Sequence, residues 1–152
     1  MVLPPPPAFA LVAGALQRAL TRNARPPSTR RRLAAGAIAT ASGALAAAAD
    51  REFRRQGTTD DPFHPERASK LVTTGVNSVT RNPMYVGMAG LLVANAVRRG
   101  SWLALLPVGA FIVTVDRLQV QNEEQALLAN FGKDYEDYRA SVPRWLGPPK
   151  TT

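Results

Sequence analysis

Cysteine is absent from the chain and histidine occurs once. The first absence excludes a thiol nucleophile, a disulfide frame and thiolate metal ligands. The second leaves His64 without a partner for a histidine metal pair, and its setting, DDPFHPER, reads as a solvated loop. No metal is expected. Acidic residues are scarce, 11 against 19 Lys and Arg, for a formal net charge of +8, and aromatic residues make up only 7%. A nucleic-acid binder wants basic residues spread over one folded face with stacking aromatics among them. Here the arginines gather beside apolar runs instead, and no nucleic-acid partner is expected.

Their placement is what the charge does say. Arg18, Arg22, Arg25, Arg30, Arg31 and Arg32 sit between two apolar runs, and Arg51, Arg54 and Arg55 follow the second. Guanidinium heads at an interface meet anionic lipid while the neighbouring run lies in hydrocarbon, so this is the pattern of membrane-segment flanks and makes the bilayer a partner. With 152 residues the chain has room for one domain. The expected fold is all-α: a small polytopic membrane helix bundle of about four transmembrane helices with a C-terminal amphipathic helix. Residues 1–152 form a single membrane domain, with N-terminal helices at 8–20 and 33–49.

Met1 to Pro7 ends in a proline run that reads as extended polyproline II. The helix after it has its basic residues behind the apolar stretch, not before it, so it reads as a retained helix and not a cleaved signal. Ser28 or Thr29 can cap the second helix, whose small residues recur at Ala35, Ala39, Gly43 and Ala47, a row that admits a close helix neighbour in a bilayer. Met84 to Val97 and Trp102 to Val115 form an apolar pair of about 14 residues each, roughly 21 Å, short of the hydrocarbon core of about 30 Å. They reach across if extended into Pro83 and Asp116–Leu118, or if the bilayer thins around them. A soluble basic helical protein is the bland alternative, and Pro107 inside the second arm suits a packed or membrane helix better.

Two stretches stand out as carriers of chemistry. Leu71 to Tyr85 reads LVTTGVNSVTRNPMY, and Glu123 to Tyr138 reads EEQALLANFGKDYEDY. Asn82 can cap a helix that begins at Pro83, where the missing N–H costs nothing. Arg117, Gln121 and Glu124 are spaced i, i+4, i+7 and so share one face of a regular helix, while Glu123 turns toward Val120 and Leu127. Gly87, Gly90 and Ala94 make a stripe with room for another helix or for the flat body of a ligand. Phe131-Gly132 reads as a helix end with glycine in the left-handed αL conformation, after which Tyr135 and Tyr138 ride a short interfacial segment.

Taken in order, LVTTG, RNPMYVG and EExxLxxxFGxxYxxY resemble the integral-membrane methyltransferases that include isoprenylcysteine carboxyl methyltransferase and the phospholipid N-methyltransferases. The resemblance runs from Phe53 to Leu146, with 71–146 as the cofactor-binding core. The family often reads Gly-Pro-Tyr where this chain has Gly75-Val76-Asn77, and Arg-His-Pro-x-Tyr where it has Arg81-Asn82-Pro83-Met84-Tyr85. Asn82 keeps a hydrogen-bonding side chain at the histidine's place but not one that titrates near neutrality.

The resemblance implies S-adenosylmethionine as cofactor and a lipophilic acceptor, an isoprenylcysteine-like carboxylate or a lipid head group. It implicates Arg81, Asn82, Pro83, Tyr85, Glu123 and Glu124 in the cofactor pocket, with Leu71, Val72, Thr73 and Gly75 as the loop whose backbone lies against it. Arg117 and Glu124, which their spacing puts on one stripe, are the candidate catalytic pair, to grip the cofactor's amino-acid end or an acceptor carboxylate. It also puts the LVTTG loop and the C-terminal tail together on the cytoplasmic side. Such transfer needs in-line placement and a dry site more than acid–base help. A non-catalytic membrane protein of the same fold, serving as a lipid-binding or assembly partner, is the alternative that the departures at Asn77 and Asn82 keep open.

Overall fold

The computed structural model describes residues 4–58 and 68–147; His64 and its loop lie outside the described residues. Among the described residues the chain is all helical, with five helices: α1 (Pro6–Leu20), α2 (Thr29–Gln56), α3 (Pro83–Arg99), α4 (Trp102–Phe131) and α5 (Lys133–Ser141). A short 3₁₀ turn, Gly75–Ser78, lies between α2 and α3.

Helix boundaries follow local chemistry. Pro5 is extended, but Pro6 and Pro7 belong to the first turn of α1, where no N–H is required, so the proline run starts the helix instead of preceding it. Ser28 caps α2 by accepting from the Arg31 N–H at 3.4 Å. Gly57 and Gly100, both αL, end α2 and α3. At 28 residues α2 is longer than the 33–49 run, because Arg30–Arg32 and Asp50–Gln56 stay helical at its ends. The two arms of the apolar pair differ too. α3 stops at 17 residues, whereas α4 runs unbroken for 30, from a 3₁₀ turn at Trp102–Leu105 through a π turn at Asp116–Val120. Pro107 lies at the second position of the α-helical segment Leu106–Val115, where it breaks no hydrogen bond.

The four long helices alternate in direction. The start of α1, the end of α2, the start of α3 and the end of α4 meet around one cavity, and their opposite ends meet around another. α1, α3 and α4 enclose a core of Ala13, Tyr85, Ala89, Leu92, Val108, Phe111, Val115 and Val120. Gln17 ties this core together with no exposure at all. Its Nε2 donates to the Leu92 and Ala104 carbonyls, both at 2.8 Å, and its Oε1 accepts from Asn95 Nδ2 at 2.7 Å. Every polar atom of that buried amide is thus satisfied.

α2 packs on the outer side of α3 through Ala35, Ser42 and Ala49, a repeat of seven, not through the row ending in Gly43 and Ala47, which is exposed beyond Ala39. Opposite it, a Cβ on Gly87 would meet the Ser42 carbonyl at 2.9 Å and one on Gly90 would overlap Ser42 Oγ. The glycine stripe is therefore filled by α2. Among the described residues α2 and α4 are the helices long and apolar enough to cross a membrane, and only 11% of the apolar stretch of α2 is buried within the protein. Leu11, Val12, Leu33, Leu91, Trp102 and Val113 also point outward. So much apolar surface belongs in a bilayer, not in water.

Candidate functional site

The end of the bundle where α2 finishes and α3 begins holds a cavity of about 390 Å³, within the range of small-molecule sites. Its walls are largely apolar: Phe53, Leu71, Val72, Met84, Met88 and Leu127. Its polar groups come from the two sequence stretches. Leu71, Val72, Arg81, Asn82, Pro83, Tyr85, Glu123 and Glu124 all line it. Thr73 and Gly75 do not. Their loop is bound to the end of α2, where Thr74 Oγ1 donates to Glu52 Oε1 at 2.5 Å and Gly75, at φ +62°, leaves room for the Glu52 carboxylate.

The two adjacent glutamates have different surroundings. Glu123 Oε1 accepts from Tyr85 Oη at 2.6 Å and from Gln119 Nε2 at 3.0 Å, which orient it beside the apolar walls. Glu124 is clamped by cations. Its Oε1 accepts from Arg81 Nη2 at 2.6 Å and Arg144 Nε at 3.0 Å, and its Oε2 from Arg144 Nη2 at 2.5 Å. Bidentate pairing of this kind fixes geometry as well as charge. Arg144 Nη1 continues to Asp116 at 3.2 Å, and Trp145 Nε1 donates to the same carboxylate at 2.9 Å. The Glu124 and Asp116 carboxylates raise the Arg144 pKa above its ordinary value, with the hydrogen bonds to Glu124 as the main cause and burial opposing.

Arg117 stands apart from this cluster. Residues 116–120 form a π turn, which takes up one more residue per turn than an α-helix and so shifts the faces on either side of it. The i, i+7 stripe of Arg117 and Glu124 is broken. The Arg117 side chain is 72% exposed, its nearest carboxylate being Asp116 at 3.7 Å, and it does not line the cavity.

Asn82 also does something other than the sequence suggests. It holds the N-cap position of α3 but makes no side-chain cap, because its Nδ2 donates to the Arg144 carbonyl at 3.0 Å. Around it the segment after α5 is laced to the loop before α3. Arg81 N donates to the Pro143 carbonyl at 3.0 Å, Arg81 Nη1 to the Val142 carbonyl at 2.6 Å, and Thr80 Oγ1 to the Arg144 carbonyl at 3.0 Å. This strap, residues 142–145, was not visible in the sequence. PRWLG carries no periodicity or motif that would mark it.

α5 forms the floor. Tyr135 and Tyr138 are 1% and 8% exposed and pack edge-on with ring centroids 6.2 Å apart, so they are cavity and core residues and not an interfacial segment. Gly132 precedes them at φ 50°, ψ −121°, a conformation that needs glycine but is not αL. Burial pushes the Tyr135 phenol up to about 12, with the Glu124 charge adding to it, and drives the Tyr138 phenol higher still. Tyr138 Oη donates to the Asn77 carbonyl at 2.6 Å. Asn77, 2% exposed, lines the cavity with its Nδ2 unpartnered. A buried donor left unmade is costly, and in a cavity wall it marks a place for a ligand acceptor.

An alternating helical bundle with two membrane-length helices and a carboxylate-bearing apolar cavity at one end has the architecture of a membrane protein with a small-molecule site. Residues 31–134 match the phospholipid methyltransferase family, and the chain belongs to it. Methyltransferases of this family use S-adenosylmethionine and act on lipid or lipophilic acceptors. A protein-S-isoprenylcysteine O-methyltransferase of Dictyostelium discoideum is a distant relative, 33% identical over 79 residues that cover 52% of this chain and 32% of that protein. The chain thus spans about a third of that relative's length. An uncharacterised protein of Haemophilus influenzae is 36% identical over 63 residues, 41% of this chain and the whole of that protein. No solved structure matches significantly.

Proposed function

We propose that the protein is an integral-membrane methyltransferase that binds S-adenosylmethionine in the cavity between the LVTTG loop, the start of α3, the end of α4 and α5. The observation that carries the reading is the orphaned Asn77 Nδ2 in the same wall system as the Glu123 carboxylate, two polar groups of opposite character in a largely apolar slot. A ligand with an amine, hydroxyls, a carboxylate and a flat ring matches that set. Glu123 would hold the amine, Asn77 would donate to an acceptor atom, and Leu71, Val72 and Tyr85 would flank the ring. Bound there, the cofactor would supply an electrophilic methyl on a sulfonium.

The chain's own part is placement. Arg81 and Arg144 hold Glu124, and through it the end of α4, against the loop before α3, so that Tyr85 and Glu123 keep their relative positions. The apolar walls exclude water from the charge lost at sulfur. Arg117 lies outside the cavity and so is not the cation that would meet a carboxylate acceptor there. The cavity end of the bundle is assigned to the cytoplasmic side, where the cofactor is made available.

The test is equilibrium binding of S-adenosylmethionine to detergent-purified protein, followed by methyl transfer to lipid extracts. Binding by wild type, weakened on the order of tenfold in Asn77→Ala at unchanged melting temperature, is expected for one lost buried hydrogen bond. Absence of binding to folded wild type would refute the reading. Binding without any methylated lipid would favour the non-catalytic protein of the same fold.

A further inference from the structure

The opposite end of the bundle holds a second, wider concavity of about 660 Å³, formed where α1 ends, α2 begins and α3 turns into α4. Arg22, Arg25, Arg31 and Arg99 line it together with Asn23 and Ser101, and none of its lining residues is acidic. Among the described residues none of these four arginines forms an ion pair. Arg99 is half-buried, with Nη1 donating to Thr21 Oγ1 at 2.9 Å and Nε buried without a partner. Arg31 is drawn in so closely that a Cβ on Gly100 would overlap its guanidinium. Cations gathered in this way repel one another, and a buried unpaired Nε–H adds the cost of its lost water. An oxyanion in the concavity would relieve both, and the guanidinium fork fits a phosphate.

The surroundings favour a lipid as the source of that phosphate. Leu20, among the lining residues, and Trp102, next to Ser101, are 47% and 71% exposed, which gives the polar basin an apolar rim. A free anion has no use for such a rim, whereas acyl chains do, and tryptophan is at home at the head-group level. Arg31 lies 22 residues before Phe53 on α2, about 33 Å at 1.5 Å per residue, close to the hydrocarbon thickness. The basin and the first cavity therefore face opposite leaflets.

We propose that this arginine basin is a binding site for the phosphate of an anionic phospholipid head group. The site rests on the membrane setting and is independent of methyl transfer.

The experiment measures binding and thermal protection of the full chain in detergent by phosphatidylglycerol, by phosphatidylcholine and by inorganic phosphate. Phosphatidylglycerol should bind selectively over phosphatidylcholine and raise the melting temperature. Arg31→Gln with Arg99→Gln should weaken it on the order of tenfold, given the worth of each arginine at a charged surface. Arg22→Gln with Arg25→Gln, both on an exposed linker, should weaken it without touching the fold, which covers the case in which the first variant fails to fold. Arg54→Gln with Arg55→Gln removes the same charge at the far end and should bind as wild type does. An equal loss in that control, or no selectivity between the two lipids, would overturn the site. Full protection by inorganic phosphate alone would overturn the lipid as its ligand. Neither result depends on whether S-adenosylmethionine binds at the other end.

Discussion

Both oxygens of Glu124 are committed to guanidinium groups whose side chains are 6% and 32% exposed, at Arg81 and Arg144. Glu124→Gln keeps the shape and removes the charge, leaving two cations facing each other with one of them buried. A loss of about 3 kcal/mol is expected, with Arg144→Gln costing less because that residue is a third exposed to solvent. Thermal denaturation in detergent checks the order of the two variants, and equal melting of Glu124→Gln and wild type would refute the clamp. The same residues show what a sequence can carry. Glu123 and Glu124 stand in a legible motif, yet nothing local separates the glutamate oriented by Tyr85 from the one locked by arginines. That difference is made by Arg144, 20 positions on, in a stretch without pattern.

Among the elements, the seam between α2 and α3 makes the sharpest demand. Gly87 and Gly90 were recognisable as a small stripe, but not what fills it, because the phase of α2 follows the Ala35, Ser42, Ala49 spacing and an alanine-rich helix offers several small rows to choose from. Gly90→Ala should destabilise by about 1–3 kcal/mol, as overpacking does. Ser42→Ala should relieve much of that, since the obstruction is a hydroxyl. Gly87→Ala should resist the same rescue, because there the obstruction is the Ser42 backbone carbonyl. Melting temperatures of the single and double variants decide, and rescue of both glycines alike would refute this packing. The π turn in α4 was equally hidden: no residue type announces it, and it alone moved Arg117 off the face of Glu124.

At the scale of the whole molecule, the all-α class was legible, whereas of the four transmembrane helices expected two among the described residues are long and apolar enough to cross a membrane; the two motifs do meet at one cavity. The strap and the floor beneath it were not legible, since their contacts are long-range and their residues read as surface. The floor has a measurable consequence at high pH. In an unfolded chain both phenols ionise near the ordinary value of about 10, whereas in the folded protein Tyr135 holds its proton to about 12 and Tyr138 longer. Stability is full below the unfolded value. It then falls as pH rises toward the folded value, by about 1.4 kcal/mol per unit for each phenol, because the unfolded chain releases its protons first. Phenolate absorbance from these two residues should therefore appear together with loss of helicity. Their ionisation at ordinary pH with the helices intact would refute the buried floor.

The strap has a further consequence, in time. A chain emerges from the ribosome N-terminus first, so α1 to α4 are made while residues 142–145 are still being added. Until then the carbonyls of Val142, Pro143 and Arg144 that receive Arg81, Thr80 and Asn82 do not exist. The helices can enter the membrane and pack, but the floor and the clamp close only once residues 132–145 have been made. The nascent protein thus acquires its helical bundle before its cavity.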